Sequence, residues 1–399
     1  MLTGKTIVLG VTGSIAAYKT ANLASMLVKL GADVHVIMTR NATQFITPMT
    51  FETLTSNKCI VDTFDRNFNY DVKHVSLAKK GDLFMVAPCT ANVIGKLAAG
   101  ICDDMLTTTL LATKAPKLLA PAMNTGMWEN PILQHNLQLL QGYGYHVVQP
   151  VEGRLACGDI GNGKMPPEEL LLEHILLHVA KRKDLQGKRL LVTAGPTQEA
   201  IDPVRFITNH SSGKMGYAIA KMAALRGAEV TLVSGPVGIK PFTGIQVVPV
   251  KSADDMFEAV TQRSADSDII VMCSAVADYK PANYSDQKVK KHDGDLSIPL
   301  TRTPDILQFL GDHKPAGQVL VGFSMETENL IDNSRAKLTK KKADLICANS
   351  IADSQTGFGV DTNRVTLITQ DEVHELPLCS KEETAELILN SIDDIINQL

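Results

Sequence analysis

Paired cysteines are missing from this chain. Its seven thiols, at 59, 89, 102, 157, 273, 347 and 379, include no C-x-x-C pair. An odd, scattered set excludes a disulfide framework and a zinc site of paired thiolates, and implies a reducing, cytoplasmic setting. Neither sign of charge is in excess: 39 Lys+Arg against 43 Asp+Glu gives a net charge of −4. That balance offers no electrostatic case for nucleic-acid or membrane partners. Long apolar runs are also missing, since LLLEHILLHVA (170–180) is interrupted by Glu173, His174 and His178. The opening MLTGKTIVLG is too short in apolar residues for a signal peptide and reads as a first strand. Two phosphate-loop signatures fail on spacing. GVTGSIAAYK (10–19) is not G-x-G-x-x-G, and SSGKMG (211–216) is not a P-loop.

What is present is one plan used twice. KTIVLGVTGSIAAYKTANLASMLVKLGADVHVIMT (5–39) reads strand, glycine turn, helix 15–30 and strand, with Gly31 as C-cap. KRLLVTAGPT (188–197), followed by GKMGYAIAKMAALRGAEVTLVSGP (213–236), repeats it. LGADVHV (30–36) and RGAEVTL (226–232) share a G-A-acid-V core. Each βαβ start opens an α/β domain. The charged stretch HVAKRKDLQGKR (178–189) is the expected linker, giving domains 1–189 and 190–399. Further buried strands are expected at 82–88, 116–122, 145–151, 268–278, 318–324 and 344–350. Open parallel sheets bind ligands beyond the carboxyl ends of their strands, so the loops that follow are where a site is expected.

In the first half, Gly13 and Ser14 form either an anion cradle at a helix N-terminus or an ordinary tight turn. The loop 38–45 with Thr39, and Thr90 with Asn92 ahead of a helix, complete three polar loops poor in acids. Such loops suit a flavin phosphate and ring better than a metal. His74 lies on a segment whose Val75, Leu77 and Ala78 are expected to face the core; it is either a packed histidine or a base. Cys157 sits in the glycine-rich EGRLACGDIGNGKMPP (152–167), as a reagent on a lid or as a chance loop thiol. PAMNTGMW (121–128) places Asn124 between two methionines and the single tryptophan, Trp128.

These residues carry a resemblance. PAMNTGMW is similar to the P-x-M-N-x-x-M-W motif of the flavin-dependent cysteine decarboxylases. GSIAAYK, KHVSLAK, PCTANVIGKLAAGICDD and ACGDIGNGKM follow in that family's order. The resemblance implies a flavodoxin-like doubly wound parallel sheet that binds FMN through Gly13, Ser14, Ile15, Thr39, Pro88, Thr90 and Met123. It further implies trimers, often assembled further into dodecamers, His74 as base, Asn124 as the amide holding the substrate carboxylate, and Cys157 as proton donor. Physically, an amide grips a carboxylate without stabilising its charge as strongly as arginine would, which favours loss of CO₂.

In the second half, Arg205, Asn209, His210, Ser211 and Ser212 form an anion-friendly set before a helix. Asp278 in SAVADYKP is placed to reach a sugar or base. Lys288, Lys290 and Lys291 form a run that is either a solvated face or an anion site. Lys337 and Lys341 share a helical face with spacing that suits a triphosphate as well as solvent. VTAGPT, DPVRFITNHSSGKMG, SAVADY, KVKK, TPDIL, GFSMET and DLICAN resemble the phosphopantothenate–cysteine ligases. This implies a Rossmann-like domain, ligase dimers, and phosphopantothenate, cysteine and CTP with Mg²⁺ as reactants. The nucleotide set it implies is Cys273, Ser274, Asp278, Lys288, Pro304, Asp305, Ile306, Leu307, Phe323, Lys337 and Lys341. Arg205 and Asn209 contact substrate, Asn209 and Lys288 act in catalysis, and no ligand to Mg²⁺ is assigned. Two rivals are an FMN-binding regulatory subunit and an NAD-dependent reductase; the motifs His74, Asn124 and Cys157, and the missing G-x-G-x-x-G, weigh against them.

Overall fold

The computed structural model describes residues 1–64, 73–156, 158–290, 297–326, 328–350 and 359–398, without the Ser350 side chain. The chain forms two compact units, Met1–Lys181 and Arg182–Leu399.

The first unit runs β1 (Thr6–Val11), α1 (Ala17–Lys29), β2 (Asp33–Met38), α2 (Pro48–Thr55), α3 (Lys73–Lys80), β3 (Leu83–Cys89), α4 (Ala91–Ala98), α5 (Met105–Ala112) and β4 (Lys117–Pro121). It continues through α6 (Thr125–Trp128), α7 (Pro131–Gly142), β5 (Tyr145–Val147), a hairpin of β6 (Val151–Arg154) and β7 (Ile160–Lys164), and α8 (Glu168–Val179). The main sheet is parallel in the order β2-β1-β3-β4-β5, the flavodoxin-like arrangement. β1 and β3 are buried along their whole length, because helices cover both faces. The strand expected over 145–151 is two. Pro150 has no N–H to donate, and the chain leaves the sheet there for the separate β6–β7 hairpin.

The second unit runs β8 (Arg189–Ala194), β9 (Gln198–Ala200), β10 (Phe206–Thr208), α9 (Lys214–Leu225), β11 (Glu229–Ser234), β12 (Gln246–Pro249), α10 (Ala253–Ser264), β13 (Ile269–Met272), β14 (Tyr279–Pro281) and β15 (Leu300–Arg302). Then come α11 (Ile306–His313), β16 (Val319–Glu326), α12 (Leu330–Lys341), β17 (Leu345–Ser350), β18 (Thr362–Asn363), β19 (Val365–Ile368), β20 (Val373–Glu375), β21 (Cys379–Ser380) and α13 (Lys381–Ile396). Its eight-stranded sheet has the order β12-β11-β8-β13-β16-β17-β19-β20, parallel up to β17 and antiparallel beyond. The first six strands follow the Rossmann order 3-2-1-4-5-6. The strand expected over 268–278 stops at Met272. There Thr193 Oγ1 accepts from the N–H groups of both Cys273 and Ser274 at 3.0 Å, lifting the chain out of the ladder.

The repeated G-A-acid-V core has one structural meaning in both units. Gly31 (φ +87°) and Gly227 (φ +92°) each follow a helix in the left-handed region, and the acid then opens β2 or β11. A side chain at Gly31 would meet Thr3 Oγ1 at 2.8 Å, so that cap requires glycine.

At the far edge of the first unit, β5 and α8 bring three imidazoles together. His146 Nε2 lies 3.1 Å from His174 Nδ1, and His178 Nδ1–H donates to the His174 carbonyl at 2.7 Å. Burial and the adjacent imidazoles hold His174 down at about 4.

Candidate functional site

At the carboxyl end of the first sheet, Thr12 joins two loops. Its Oγ1 donates to Pro88 O at 2.8 Å and accepts from Thr90 N at 3.1 Å. Thr39 N–H donates to Val11 O at 3.0 Å, adding the third loop. A cavity of about 730 Å³ opens between them, with Gly13, Thr39, Thr90 and Asn92 on its wall. A Cβ at Gly13 would stand 2.6 Å from Asn41 Cβ, so the turn is closed to any side chain. Of the other expected FMN contacts, Ser14 spends its backbone locally: its N–H donates to Thr12 O, and its carbonyl accepts from Ala17 N–H. Ile15 is exposed, Pro88 is buried, and Met123 packs with Trp128 against the apolar core. These loops are less poor in acids than their sequence suggests, because Asp62, Asp103 and Asp104 also line the cavity. Each is already engaged. Asp62 takes Arg40 at 2.8 and 3.0 Å, Asp103 takes Lys96 at 2.7 and 2.9 Å, and Asp104 caps α5 by accepting from Thr107 N–H.

Asn124 is the N-cap of α6. Its Oδ1 accepts from Met127 N–H at 2.8 Å, which fixes the oxygen as the acceptor and leaves NH₂ as the donor end of an exposed amide. The β6–β7 hairpin docks on this turn: Met123 N–H donates to Gly163 O at 3.0 Å and Thr125 Oγ1 to Asn162 O at 3.0 Å. A Cβ at Gly163 (φ +121°) would fall 2.4 Å from Met123 O. The hairpin connection is tied by Leu155 N–H to Asp159 O and Gly158 N–H to Leu155 O; Cys157 lies outside the described residues. His74 is half-buried on α3, one turn from the buried Leu77 and Ala78. Val75, expected to face the core, is exposed: 100° per residue turns it off the stripe formed by 74, 77 and 78.

The second unit carries two adjoining chambers beyond β13, β16 and β17, beside the switch point of its sheet. The first, of about 500 Å³, has an apolar wall from Pro304, Ile306, Leu307 and Phe323. Asp278, Arg302, Asp305, Lys337 and Lys341 supply its polar groups. Asp305 caps α11 through Gln308 N–H and pairs with Lys341. Burial raises its pKa, but Lys341 and the Gln308 N–H outweigh that and hold it below the usual range. Lys337 donates to Phe323 O at 2.8 Å; burial pushes its pKa down. The second chamber, of about 470 Å³, shares Ser274, Asp278, Phe323 and Lys337 with the first and adds Cys273, Asn209, Ser211 and Ser212 at the start of α9. Burial pushes the Cys273 thiol up to about 12, so it is a wall rather than a nucleophile.

Two expected residues lie apart from both chambers. Arg205 forms a two-point contact with Asp202 Oδ2, at 2.6 and 3.0 Å, and donates to Val289 O at 3.0 Å. Lys288 is exposed on the segment this contact fastens, Lys290 is exposed beside it, and Lys291 lies outside the described residues. Conversely, Lys214, Asn349, Asn363 and Lys381 line the second chamber without having been singled out from the sequence. Only folding reveals them, because Lys214 and Lys381 come from helices far apart in the chain. Among the described residues, no group of three or more His, Cys, Asp or Glu side chains could hold a metal. No described helix is long and apolar enough to cross a membrane.

Comparison with known proteins matches residues 1–179 to the Flavoprotein family and residues 185–396 to the DNA/pantothenate metabolism flavoprotein C-terminal domain. The coenzyme A biosynthesis bifunctional protein CoaBC of Bacillus subtilis (strain 168) is 46% identical over 402 residues, covering 100% of this chain and 99% of its own. That of Escherichia coli (strain K12) is 42% identical over 397 residues, covering 98% and 97%. A crystal structure of the C-terminal domain of a CoaBC protein is 46% identical, with a TM-score of 0.47 over 54% of this chain and 98% of its own. The chain belongs to the family of the coenzyme A biosynthesis bifunctional proteins CoaBC.

Proposed function

We propose that the chain holds two active sites of coenzyme A biosynthesis. The second unit joins phosphopantothenate to cysteine with CTP, and the first decarboxylates the resulting phosphopantothenoylcysteine to phosphopantetheine. The observation that carries the reading is the lysine-bearing double chamber at the Rossmann switch point, in the same chain as a flavodoxin-ordered sheet with its own polar cavity.

In the first unit, Gly13, Thr39 and Thr90 fit the phosphate end of FMN: the turn at Gly13 is closed to side chains, and two hydroxyl residues flank it. When bound, FMN supplies a two-electron acceptor, without which the carbanion left by departing CO₂ has nowhere to delocalise. Asn124 offers NH₂ to the substrate carboxylate while its oxygen holds the α6 turn. His74 takes the thiol proton, and Cys157 returns a proton to carbon at the end. Assembly of this unit as trimers and higher oligomers is part of the same proposal.

In the second unit the base of CTP lies on Phe323 and Leu307, with Asp278 and Arg302 to read its polar edge. A phosphopantothenate carboxylate oxygen attacks the α-phosphorus, the bond to the bridging oxygen breaks, and pyrophosphate leaves. The cysteine amine then displaces CMP from the acyl cytidylate, which Asn209 positions. Lys337 and Lys341 offset the repulsion between anionic carboxylate and triphosphate, and Lys288, which stands outside both chambers, joins them once the nucleotide is bound. Mg²⁺ fits as an ion brought in on the phosphates. Ligase dimers and a cytoplasmic setting complete the proposal.

The visible spectrum of the purified protein, read together with product masses from phosphopantothenate, cysteine, CTP and Mg²⁺, tests the proposal. Flavin absorbance with CTP-dependent phosphopantetheine formation is expected. A colourless protein, or conversion without a nucleotide, contradicts it.

A further inference from the structure

Two of the helices that border the second chamber begin with a lysine. Lys214 is the first residue of α9 and Lys381 the first residue of α13, and the two helices pack on one another. A cation at a helix N-terminus opposes the macrodipole, and acids are the favoured residues there. α9 has no acid in its first turn, whereas α13 carries Glu382 and Glu383 there. Lys381 is only 7% exposed, and its ammonium donates to the carbonyls of Val360 and Thr362. Lys214 Nζ donates to Gly359 O at 2.7 Å and to Asp361 Oδ1 at 2.7 Å. The two ammonium groups thus clasp one short segment, 359–362, and Lys214 pairs there with Asp361, whose side chain is 89% exposed. Burial and the charge of Lys214 push the Lys381 pKa down. Each cation therefore raises the cost of the other.

The chamber wall holds a second sign of a ligand. Among the described residues, Asn349 Oδ1 and Ser274 Oγ are buried with no hydrogen-bond partner. Asn349 is 7% exposed, and both residues line this chamber. Buried polar atoms are rarely left unpaired, so a bound group is expected to satisfy them. A buried and a part-exposed cation, the acid-free N-terminus of α9 and unpaired polar atoms on one wall call for a compact polyanion.

We propose that Lys214 and Lys381 form the subsite for the terminal two phosphates of the nucleotide, and hold the pyrophosphate as it departs. This rests on the ligase reading above. The bond between the α-phosphorus and the bridging oxygen breaks with its electron pair on pyrophosphate, and the two ammonium groups offset the charge gathered there. The base and ribose are held elsewhere, in the first chamber. Lys214 and Lys381 therefore distinguish CTP from CMP.

The test is isothermal titration of the full-length protein with CMP, CTP and inorganic pyrophosphate, each with Mg²⁺ and without phosphopantothenate, so that nothing turns over. Wild type, Lys214→Gln, Lys381→Gln and Lys381→Arg are compared, with thermal melting as a control for folding. In the Gln variants, CTP and pyrophosphate should bind about 10- to 100-fold more weakly, since each loses a charged donor, while CMP stays within about twofold. Lys381→Arg should recover most of the loss. Equal weakening of CMP and CTP would mean that Lys381 merely braces segment 359–362, and unchanged CTP binding would mean that the pair faces no phosphate; either result overturns the proposal. If Lys381→Gln fails to fold, Lys214→Gln decides alone, because that side chain is 35% exposed. Wild type that binds neither CMP nor CTP would instead overturn the ligase reading itself.

Discussion

The two units are built on the same doubly wound principle, yet they treat positive charge in opposite ways. In the cavity of the first, the cations Arg40 and Lys96 are neutralised by Asp62 and Asp103. In the chambers of the second, Lys341 and Lys214 pair with Asp305 and Asp361, but Lys337 and Lys381 rest on backbone carbonyls. A carbonyl orients an ammonium without cancelling its charge, so the second unit keeps net positive potential for an incoming anion. The first keeps none to spare and offers hydroxyls, a glycine turn and an amide. That difference matches the proposed chemistry: a carboxylate that must leave as CO₂ is best held weakly, whereas a triphosphate meeting a second anion needs counter-charge.

The comparison predicts that damage stays within one unit. Asn124→Asp should have the largest effect, lowering decarboxylation by about 10³-fold or more, because two carboxylates would share one pocket. Asp caps a helix as well as Asn, so the α6 turn survives the change. Flavin absorbance and ligation rates should be retained. Loss of flavin would make Asn124 a cofactor ligand instead. Lys337→Gln should lower kcat/KM for CTP by about 10²–10³-fold and leave decarboxylation of supplied phosphopantothenoylcysteine untouched, as steady-state kinetics on each half-reaction will show.

Much of this arrangement is legible in the chain itself. The G-A-acid-V repeat marks the left-handed glycine and the strand that follows in both units, and most residues expected around the nucleotide do meet in one chamber. Residues whose role depends on distant partners are not legible. Arg40 finds Asp62 only after β2 and the loop beyond α2 have packed, and Lys381 meets Lys214 only because α13 lies on α9. Short-range periodicity also misled at Val75, where a single residue's 100° of rotation separates core from solvent. The early end of β13 is invisible for the same reason, since Thr193 takes its hydrogen bonds from a neighbouring strand.

Smaller effects sharpen the contrast. Gly163→Ala would place a methyl group against Met123 O at a strained φ, costing about 1–3 kcal/mol. Melting of the first unit, followed by its flavin signal, should shift down while ligation is unchanged. The smallest effect is pH-dependent. His174 is held near 4 when folded, against an ordinary 6.5, so the unfolded chain binds more protons between those values. Stability of the first unit should therefore fall as pH drops from about 6.5 toward 4. In the second unit, the hydrogen bond from Arg205 holds Asp202 well below the usual carboxylate range, so this pair stays ionised across the same interval. Hydrogen exchange on the intact chain should show faster opening around α8 and β5, by about tenfold or less because the ring is partly solvated, and His174→Gln should reduce the trend, leaving the smaller part due to His146.

The most direct test of two separate sites follows one carbon atom. Cysteine labelled with carbon-13 at its carboxyl is supplied with phosphopantothenate, CTP and Mg²⁺, and products are identified by mass. With the wild-type chain the label should pass through phosphopantothenoylcysteine and leave as CO₂, with one CMP formed per cysteine joined. With Asn124→Asp it should stop in phosphopantothenoylcysteine. Release of labelled CO₂ without CTP, or an Asn124→Asp chain that joins no cysteine, would contradict the account.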